Sequence, residues 1–228
     1  IVTVLASAFC LNLTVNAQTY RHISGWSQDV NDQIEGFLNS TITMNIRKVA
    51  VFDSDGTTFG QVPYYLADEA LYRYADEVLK ERKDREAKEK LKILERMVKD
   101  GNNVGKPYVE NRIHFLAGLT PGEIEMIGYE CYRESYSSKT YPEMKQLVAN
   151  LKEYGFEVYI LTASPEFLYQ KFVSEEYGIP VTNVVGAKCV VKDGVTTGEI
   201  IPPLPQDDGK AHTIETFIKA RPLIVGGN

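Results

Sequence analysis

This chain has few cysteines: Cys10, Cys131 and Cys189 in 228 residues are too few and too widely spaced to frame a disulfide-stapled fold. No CxxC pair or His/Cys cluster of zinc spacing occurs, and His22, His114 and His212 stand isolated, as packing or surface histidines do. A surplus of basic charge is missing too, since 25 Lys and Arg face 31 Asp and Glu for a net charge of −6. Nucleic-acid binders hold phosphate backbones with surplus Lys and Arg, which argues against that class. An anionic phosphorylated ligand would have to be met by a metal and a few selected side chains. The remaining composition, 43% apolar and 25% charged, is ordinary for a globular chain, and the length predicts one to two domains.

Apolar runs long enough to cross a bilayer comfortably are also lacking, since the run at the start, Ile1 to about Leu13, is short. Val15-Asn16-Ala17 fits signal-peptidase cleavage, with Gln18 opening the mature chain. Residues 1–17 are therefore expected to be a signal peptide, truncated at its start because no Met or basic segment precedes it. The protein is expected to be periplasmic or otherwise exported, with no membrane attachment in the mature form. A buried N-terminal strand is the alternative. Cys10 does not suit lipidation, because bulky Phe9 stands where a small residue is expected. Export would permit Cys131 and Cys189 to pair, but two cysteines this far apart in sequence do not establish a bond.

The chain is organised around Val49-Ala50-Val51-Phe52-Asp53-Ser54-Asp55-Gly56-Thr57-Thr58. Four apolar residues suit a strand buried on both faces, as in parallel sheets. Two carboxylates two positions apart follow its C-terminal end, then a Gly that permits a sharp turn. Open α/β sheets bind their ligands outside the carboxyl ends of the strands. An Asp there can attack phosphorus and form an aspartyl-phosphate. A second carboxylate can protonate the leaving oxygen and then activate water. Mg²⁺, bound through carboxylates and phosphate oxygens, would screen the repulsion between the groups. A solvated Asp turn is the plainer reading of the same five residues.

Along the chain, Ile34, Phe37 and Leu38 predict a helix packing beside the core. Tyr64 to Val98 reads as strongly helical, with the stripe Leu71, Tyr74, Ala75, Val78 and Leu79 resumed by Leu91, Leu94, Met97 and Val98. Between them, Lys80 to Lys90 mixes both signs of charge, the pattern of a solvated face. Gly101 ends this helix and Thr120-Pro121-Gly122-Glu123 opens a short one. Thr140-Tyr141-Pro142-Glu143 has the form of a capping box, before a helix on Met144, Leu147, Val148 and Leu151 that stops at Gly155. A strand Phe156 to Leu161 ends at Thr162-Ala163-Ser164, and Pro165 suits the first turn of the next helix. Short strands follow at Val184-Val185, Lys188 to Val191 and Val195 to Ile201, the last two joined by the hairpin signal Asp193-Gly194. The Pro-rich run Ile201 to Pro205 leads into Asp208-Gly209-Lys210 and a helix, and Leu223-Ile224-Val225 is a final strand.

Asp53-Ser54-Asp55-Gly56-Thr57 resembles the DxDGT signature of the haloacid dehalogenase superfamily, most of whose members are phosphatases. Thr162 after its strand and Lys210 at its helix start match the second and third motifs in order, and Gly227-Asn228 looks like the opening of the fourth. Gln61-Val62-Pro63-Tyr64, Tyr141-Pro142-Glu143-Met144 and Asp208-Gly209-Lys210 are similar to stretches of exported bacterial phosphoserine-phosphatase-like members, as, more weakly, is Ser27 to Leu38. The resemblance implies an α/β fold: a Rossmann-like doubly wound, mostly parallel sheet with a helical C1-type cap inserted after the first core strand. The core would comprise 18–60 and 140–228, with its C-terminus truncated, and the cap 61–139. Tyr64, Tyr65, Tyr129, Tyr132 and Tyr136 belong to that cap. They are expected to pack or to line it, with an aromatic cage for a quaternary ammonium as the alternative.

The resemblance further implies a Mg²⁺-dependent phosphatase acting on a small phosphorylated metabolite, phosphoserine-like, through an aspartyl-phosphate. Asp53 would be the nucleophile and Asp55 the acid and base. Thr162 and Lys210 would hold the phosphoryl group, assisted by Ser54, Gly56, Thr57 and Ala163. Mg²⁺ would sit on Asp53, Asp55 and Asn228, though the acidic residue expected beyond Asn228 is absent because the chain stops. The alternatives are a phosphotransferase using the same residues and a non-catalytic protein that binds a phosphorylated ligand. Halide removal fits less well, since it needs no acid such as Asp55.

Overall fold

The computed structural model describes residues 18–100 and 105–227. The candidate leader 1–17, Gly101 and Asn228 lie outside the described residues. Helix α1 (Gln28–Ser40) starts at Ser27, whose Oγ accepts from the Val30 N–H, and buries Leu38 beside the core. Strand β1 (Val49–Phe52) follows, buried at all four residues. Then come α2 (Leu66–Tyr74), extended by a wider π-type turn Ala75–Leu79, α3 (Arg85–Asp100), α4 (Lys106–Leu116) and α5 (Pro121–Cys131). The chain returns through α6 (Pro142–Glu153), β2 (Glu157–Pro165), α7 (Glu166–Tyr177), β3 (Val184–Lys192) and β4 (Val195–Ile201). It closes with α8 (Gly209–Thr213) and β5 (Ile224–Gly226).

The sheet order is β4-β3-β2-β1-β5, parallel except for the β3/β4 hairpin. Alternation along β1 explains why its sequence is apolar throughout. Ala50 and Phe52 face the main core with Leu147, Val148 and Leu151 of α6 and Phe172 of α7. Val49 and Val51 face the other way, with Ile218 and Ile214 beyond α8. Both faces are therefore covered, the doubly wound arrangement that keeps a parallel sheet out of water. Register then assembles one edge: Phe52 pairs with Ile160 of β2 and with Gly226 of β5. The residues just past these pairs, Asp53, Thr162 and Gly227, share that edge.

Several local expectations need correction. The charged stretch 80–90 is not one helix face: α3 starts anew at Asp84, whose Oδ1 accepts from the Ala87 N–H. Lys90 is 4% exposed, and its ammonium donates to the Phe115 and Ala117 carbonyls at 2.7 and 2.6 Å. It thereby satisfies carbonyls at the end of α4, a helix that the periodicity reading left out. Val78 and Val98 of the expected stripe are exposed instead. The capping box forms at Thr120 and Glu123, whereas Tyr141 is the N-cap of α6 and Thr140 spends its hydroxyl on Tyr132 at 2.6 Å. Strand β2 runs on to Pro165, and the two short strands expected at 184–191 are one. Its first half pairs in parallel with β2 and its second half with β4, through a turn in which Asp193 and Gly194 both have positive φ. No helix among the described residues is long and apolar enough to cross a membrane.

Helices α2 to α5 follow β1 and precede α6 in the chain, and their buried Leu66, Leu71, Phe115 and Ile124 belong to the same core as Ala50 and Phe52. One close contact seats α5 on α7. A Cβ on Gly128 of α5 would lie 1.9 Å from the Leu168 carbonyl oxygen of α7, so only glycine lets these helices approach so closely.

Candidate active site

Asp53 follows β1, with its N–H bonded to the Gly226 carbonyl of β5 at 2.9 Å. The chain then turns sharply. Thr57 and Thr58 N–H groups both donate to the Ser54 carbonyl, the Gly56 N–H donates to Phe59, and Gly56 takes φ 78°, which a side chain would strain. Asp53 Oδ1 accepts from the Ser54 N–H at 2.9 Å, and Oδ2 meets Lys210 Nζ at 2.9 Å. Lys210 arrives from the first turn of α8.

Asp53, Asp55, Thr162, Ala163 and Lys210 border one cavity of about 350 Å³. Ser54, Gly56 and Thr57 do not border it. Ser54 is buried with its hydroxyl 3.4 Å from that of Thr58, and the Gly56 and Thr57 N–H groups are engaged inside the turn. Asn228 lies outside the described residues, but Gly227 before it packs against Asp53: a Cβ there would sit 3.3 Å from the Asp53 Cβ.

Asp55 is 7% exposed. Its Oδ1 accepts from the Leu66 N–H at 3.1 Å and its Oδ2 from the Tyr169 hydroxyl at 2.7 Å. Burial pushes its pKa up to about 6, while Tyr169, Leu66 and Arg112 oppose the rise and Asp53 adds to it. A carboxyl with that pKa can carry a proton near neutral pH and release it, as a general acid must. Thr162 is also buried, and its Oγ1 accepts from the Ser164 N–H at 3.1 Å, which holds the β2 end in place.

Two further functional-looking groups had no sequence signal. Arg112 of α4 borders the cavity and forms a bidentate pair with Asp68 of α2, at 2.8 and 2.9 Å. Both are almost fully buried. Burial works against the Arg112 charge, but Asp68 outweighs it and raises the pKa of the guanidinium. Tyr169 lies inside α7, where nothing distinguishes it from a packing tyrosine. Of the five tyrosines expected in the insertion, only Tyr65 borders the cavity. Tyr132 and Tyr136 are buried, with Tyr132 stacked on Phe172 at 4.3 Å, so no aromatic cage is assembled from them. Cys131 and Cys189 are both free thiols.

The chain belongs to the haloacid dehalogenase-like hydrolases, whose family model matches residues 50–225. It is 24% identical over 103 residues to the phosphoserine phosphatase SerB1 of Mycobacterium tuberculosis, a match covering 45% of this chain and 32% of that relative. The chain thus spans about a third of the length of that curated relative. A protein of unknown function from Bordetella pertussis Tohama I has a similar fold, with TM-score 0.59, 18% identity, and 77% of this chain and 75% of that one covered. So has a functionally unknown protein from Anaerococcus prevotii, with TM-score 0.63, 15% identity, and 89% and 80% covered.

Proposed function

We propose that the protein is a Mg²⁺-dependent phosphatase of small phosphate monoesters, working through an aspartyl-phosphate on Asp53. The observation that carries this reading is the gathering of Asp53, Asp55, Thr162 and Lys210 around one cavity of phosphoester size. Asp53 attacks phosphorus in line while Asp55 protonates the departing alcohol. The Thr162 hydroxyl and the Lys210 ammonium hold the phosphoryl oxygens. Asp55 then takes a proton from the water that cleaves the aspartyl-phosphate. Positioning and charge neutralisation supply most of the rate enhancement in such a reaction.

The donor chemistry fits a magnesium ion. No group of three or more His, Cys, Asp or Glu side chains able to hold a metal occurs among the described residues. Mg²⁺ needs no such cage, because it keeps several waters and takes one or two carboxylates plus substrate phosphate oxygens. Asp53, Asp55 and Asp207 face the cavity against Lys210 and an Arg112 already paired with Asp68, so a dianionic ester enters an acidic site. Asp53, the Asp55 carbonyl and the segment from Gly227 to Asn228 would hold the ion. When bound, it supplies the positive charge that lets the ester approach the carboxylates.

A phosphoserine-like ester is the substrate class we propose, by similarity to the phosphoserine phosphatase relative. We also take the mature chain to begin at Gln18 and to act outside the cytoplasm, with the helical insertion 61–139 serving as the cap. Release of inorganic phosphate from a panel of monoesters, with and without Mg²⁺, tests the reading. Turnover that needs Mg²⁺ and stops with chelator is expected; a protein that hydrolyses none of the panel with Mg²⁺ present refutes it. A competing alcohol acceptor separates hydrolysis from phosphotransfer.

A further inference from the structure

Both carboxylate oxygens of Asp55 are held, and from different parts of the chain. The Leu66 N–H reaches Oδ1 from the first residue of α2, and the Tyr169 hydroxyl reaches Oδ2 from α7. One hydrogen bond would leave the carboxyl free to turn about its Cβ–Cγ bond. Two, on opposite oxygens, remove that freedom. Packing holds the Tyr169 ring in place: it is fully buried, 5.5 Å from the ring of Phe172, which in turn stacks on Tyr132, and its hydroxyl also meets the Ser164 side chain.

We propose that Tyr169 is the positioning residue for the acid–base step, aiming the Asp55 carboxyl into the cavity. The proposal rests on the phosphatase reading above. In the first half-reaction the Asp53 oxygen–phosphorus bond forms as the phosphorus–oxygen bond to the leaving alcohol breaks. The electron pair of the broken bond stays on the leaving oxygen, which takes the Asp55 proton. Asp55 becomes a carboxylate and keeps the Tyr169 hydroxyl as donor, so its charge is stabilised as it appears. Each carboxylate oxygen has a second lone pair, so the bond to Tyr169 does not compete with proton delivery. The hydroxyl thus reaches Asp55 from the fourth residue of α7, a role that neither the DxDGT stretch nor the Thr162 and Lys210 motifs include.

Tyr169→Phe keeps the packed ring and removes the hydroxyl. The measurement is kcat/KM for an alkyl phosphate, whose leaving oxygen needs protonation, and for p-nitrophenyl phosphate, whose phenolate departs without it. A loss of about tenfold or more on the alkyl ester, with less than about threefold on the aryl ester, is expected. Equal losses on both overturn the proposal. In an Asp55→Asn background, removing the Tyr169 hydroxyl should cause no further loss on the alkyl ester, and an equally large further loss overturns it. Tyr154→Phe, which loses another tyrosine hydroxyl bond, to Asn39 at 2.8 Å, is the structural comparison and should show no split between esters. A crystal structure of Tyr169→Phe is expected to show the Asp55 carboxyl turned from its present orientation. An unmoved carboxyl overturns the proposal whatever the turnover. Failure of the phosphatase reading looks different: the unaltered protein hydrolyses neither ester, and the carboxyl orientation alone then decides the role of Tyr169.

Discussion

Lys210 Nζ stands 2.9 Å from Asp53 Oδ2, an ion pair between the end of the first core strand and the start of the last helix. Lys210 is a third exposed, and pairs of this kind add little to stability. Its value lies in charge placement. Lys210→Met should lower kcat/KM by about 100-fold or more, the scale of a lost transition-state donor, while the unfolding free energy changes by less than about 1 kcal/mol. Steady-state kinetics beside urea unfolding checks both halves, and a variant that unfolds easily yet retains activity contradicts the assignment.

Asp53→Asn removes the attacking oxygen's charge but little volume. Turnover should fall by more than about 1,000-fold, with the midpoint of thermal unfolding nearly unchanged. Acid-quenched protein incubated with a radiolabelled phosphate ester should carry covalent phosphate in the parent and none in the variant. Retained hydrolysis would rule out an aspartyl-phosphate on this residue.

The buried pair of Arg112 and Asp68 makes a stability prediction with a built-in control. Arg112→Met leaves the Asp68 carboxylate buried without a partner and should cost about 3–5 kcal/mol. Combining it with Asp68→Leu removes the stranded charge and should recover most of that loss. Denaturant titrations of the two singles and the double decide the matter; strictly additive losses would show that the ions do not depend on one another.

Asp55 links stability to pH. Its folded pKa of about 6 lies above the ordinary 3.8, so between those values the folded protein holds a proton that the unfolded chain has lost. Stability from this group is therefore present at low pH and lost as pH rises from about 4 to about 6. Asp55→Asn lacks the titration. Measured with chelator present, the stability of the variant relative to the parent should rise across that window, by on the order of 3 kcal/mol at most. A difference that does not vary with pH would show that Asp55 titrates as an exposed carboxylate does.

Gly128→Ala tests how α5 is seated on α7. The added methyl would lie 1.9 Å from the Leu168 carbonyl oxygen and must push α5 away from α7. A loss of about 1–3 kcal/mol is expected, together with faster proteolysis within 61–139 than elsewhere. Gly122→Ala on the same helix, where nothing lies within 4 Å, is the neutral comparison.

The core strand and the four side chains that gather at the cavity, Asp53, Asp55, Thr162 and Lys210, were legible in the sequence because their signals are local. Four apolar residues before Asp53 define β1 to the residue, and period-2 burial on both faces follows from a parallel sheet. The hairpin at Asp193-Gly194 is likewise legible, since few residue pairs accept two positive φ values. Charge patterning misled where a tertiary partner intervened. Lys90 sits in a run of mixed sign, but the carbonyl ends of α4 draw its ammonium inward. The Thr140 hydroxyl suits a helix cap, but Tyr132 takes it first.

By itself the sequence determined β1, the carboxylate pair after it, the β3/β4 hairpin, and the Thr and Lys that join the carboxylates, but not α4 or the continuity of β3. Only the tertiary structure decided that Arg112 is neutralised by Asp68 beside that cavity, that Tyr169 reaches Asp55, and that Tyr132 and Tyr136 pack instead of lining it. Those outcomes depend on which faces of separate helices meet. Periodicity shows that a helix has a buried face, but the partner across that face is set by distances among residues far apart in the chain.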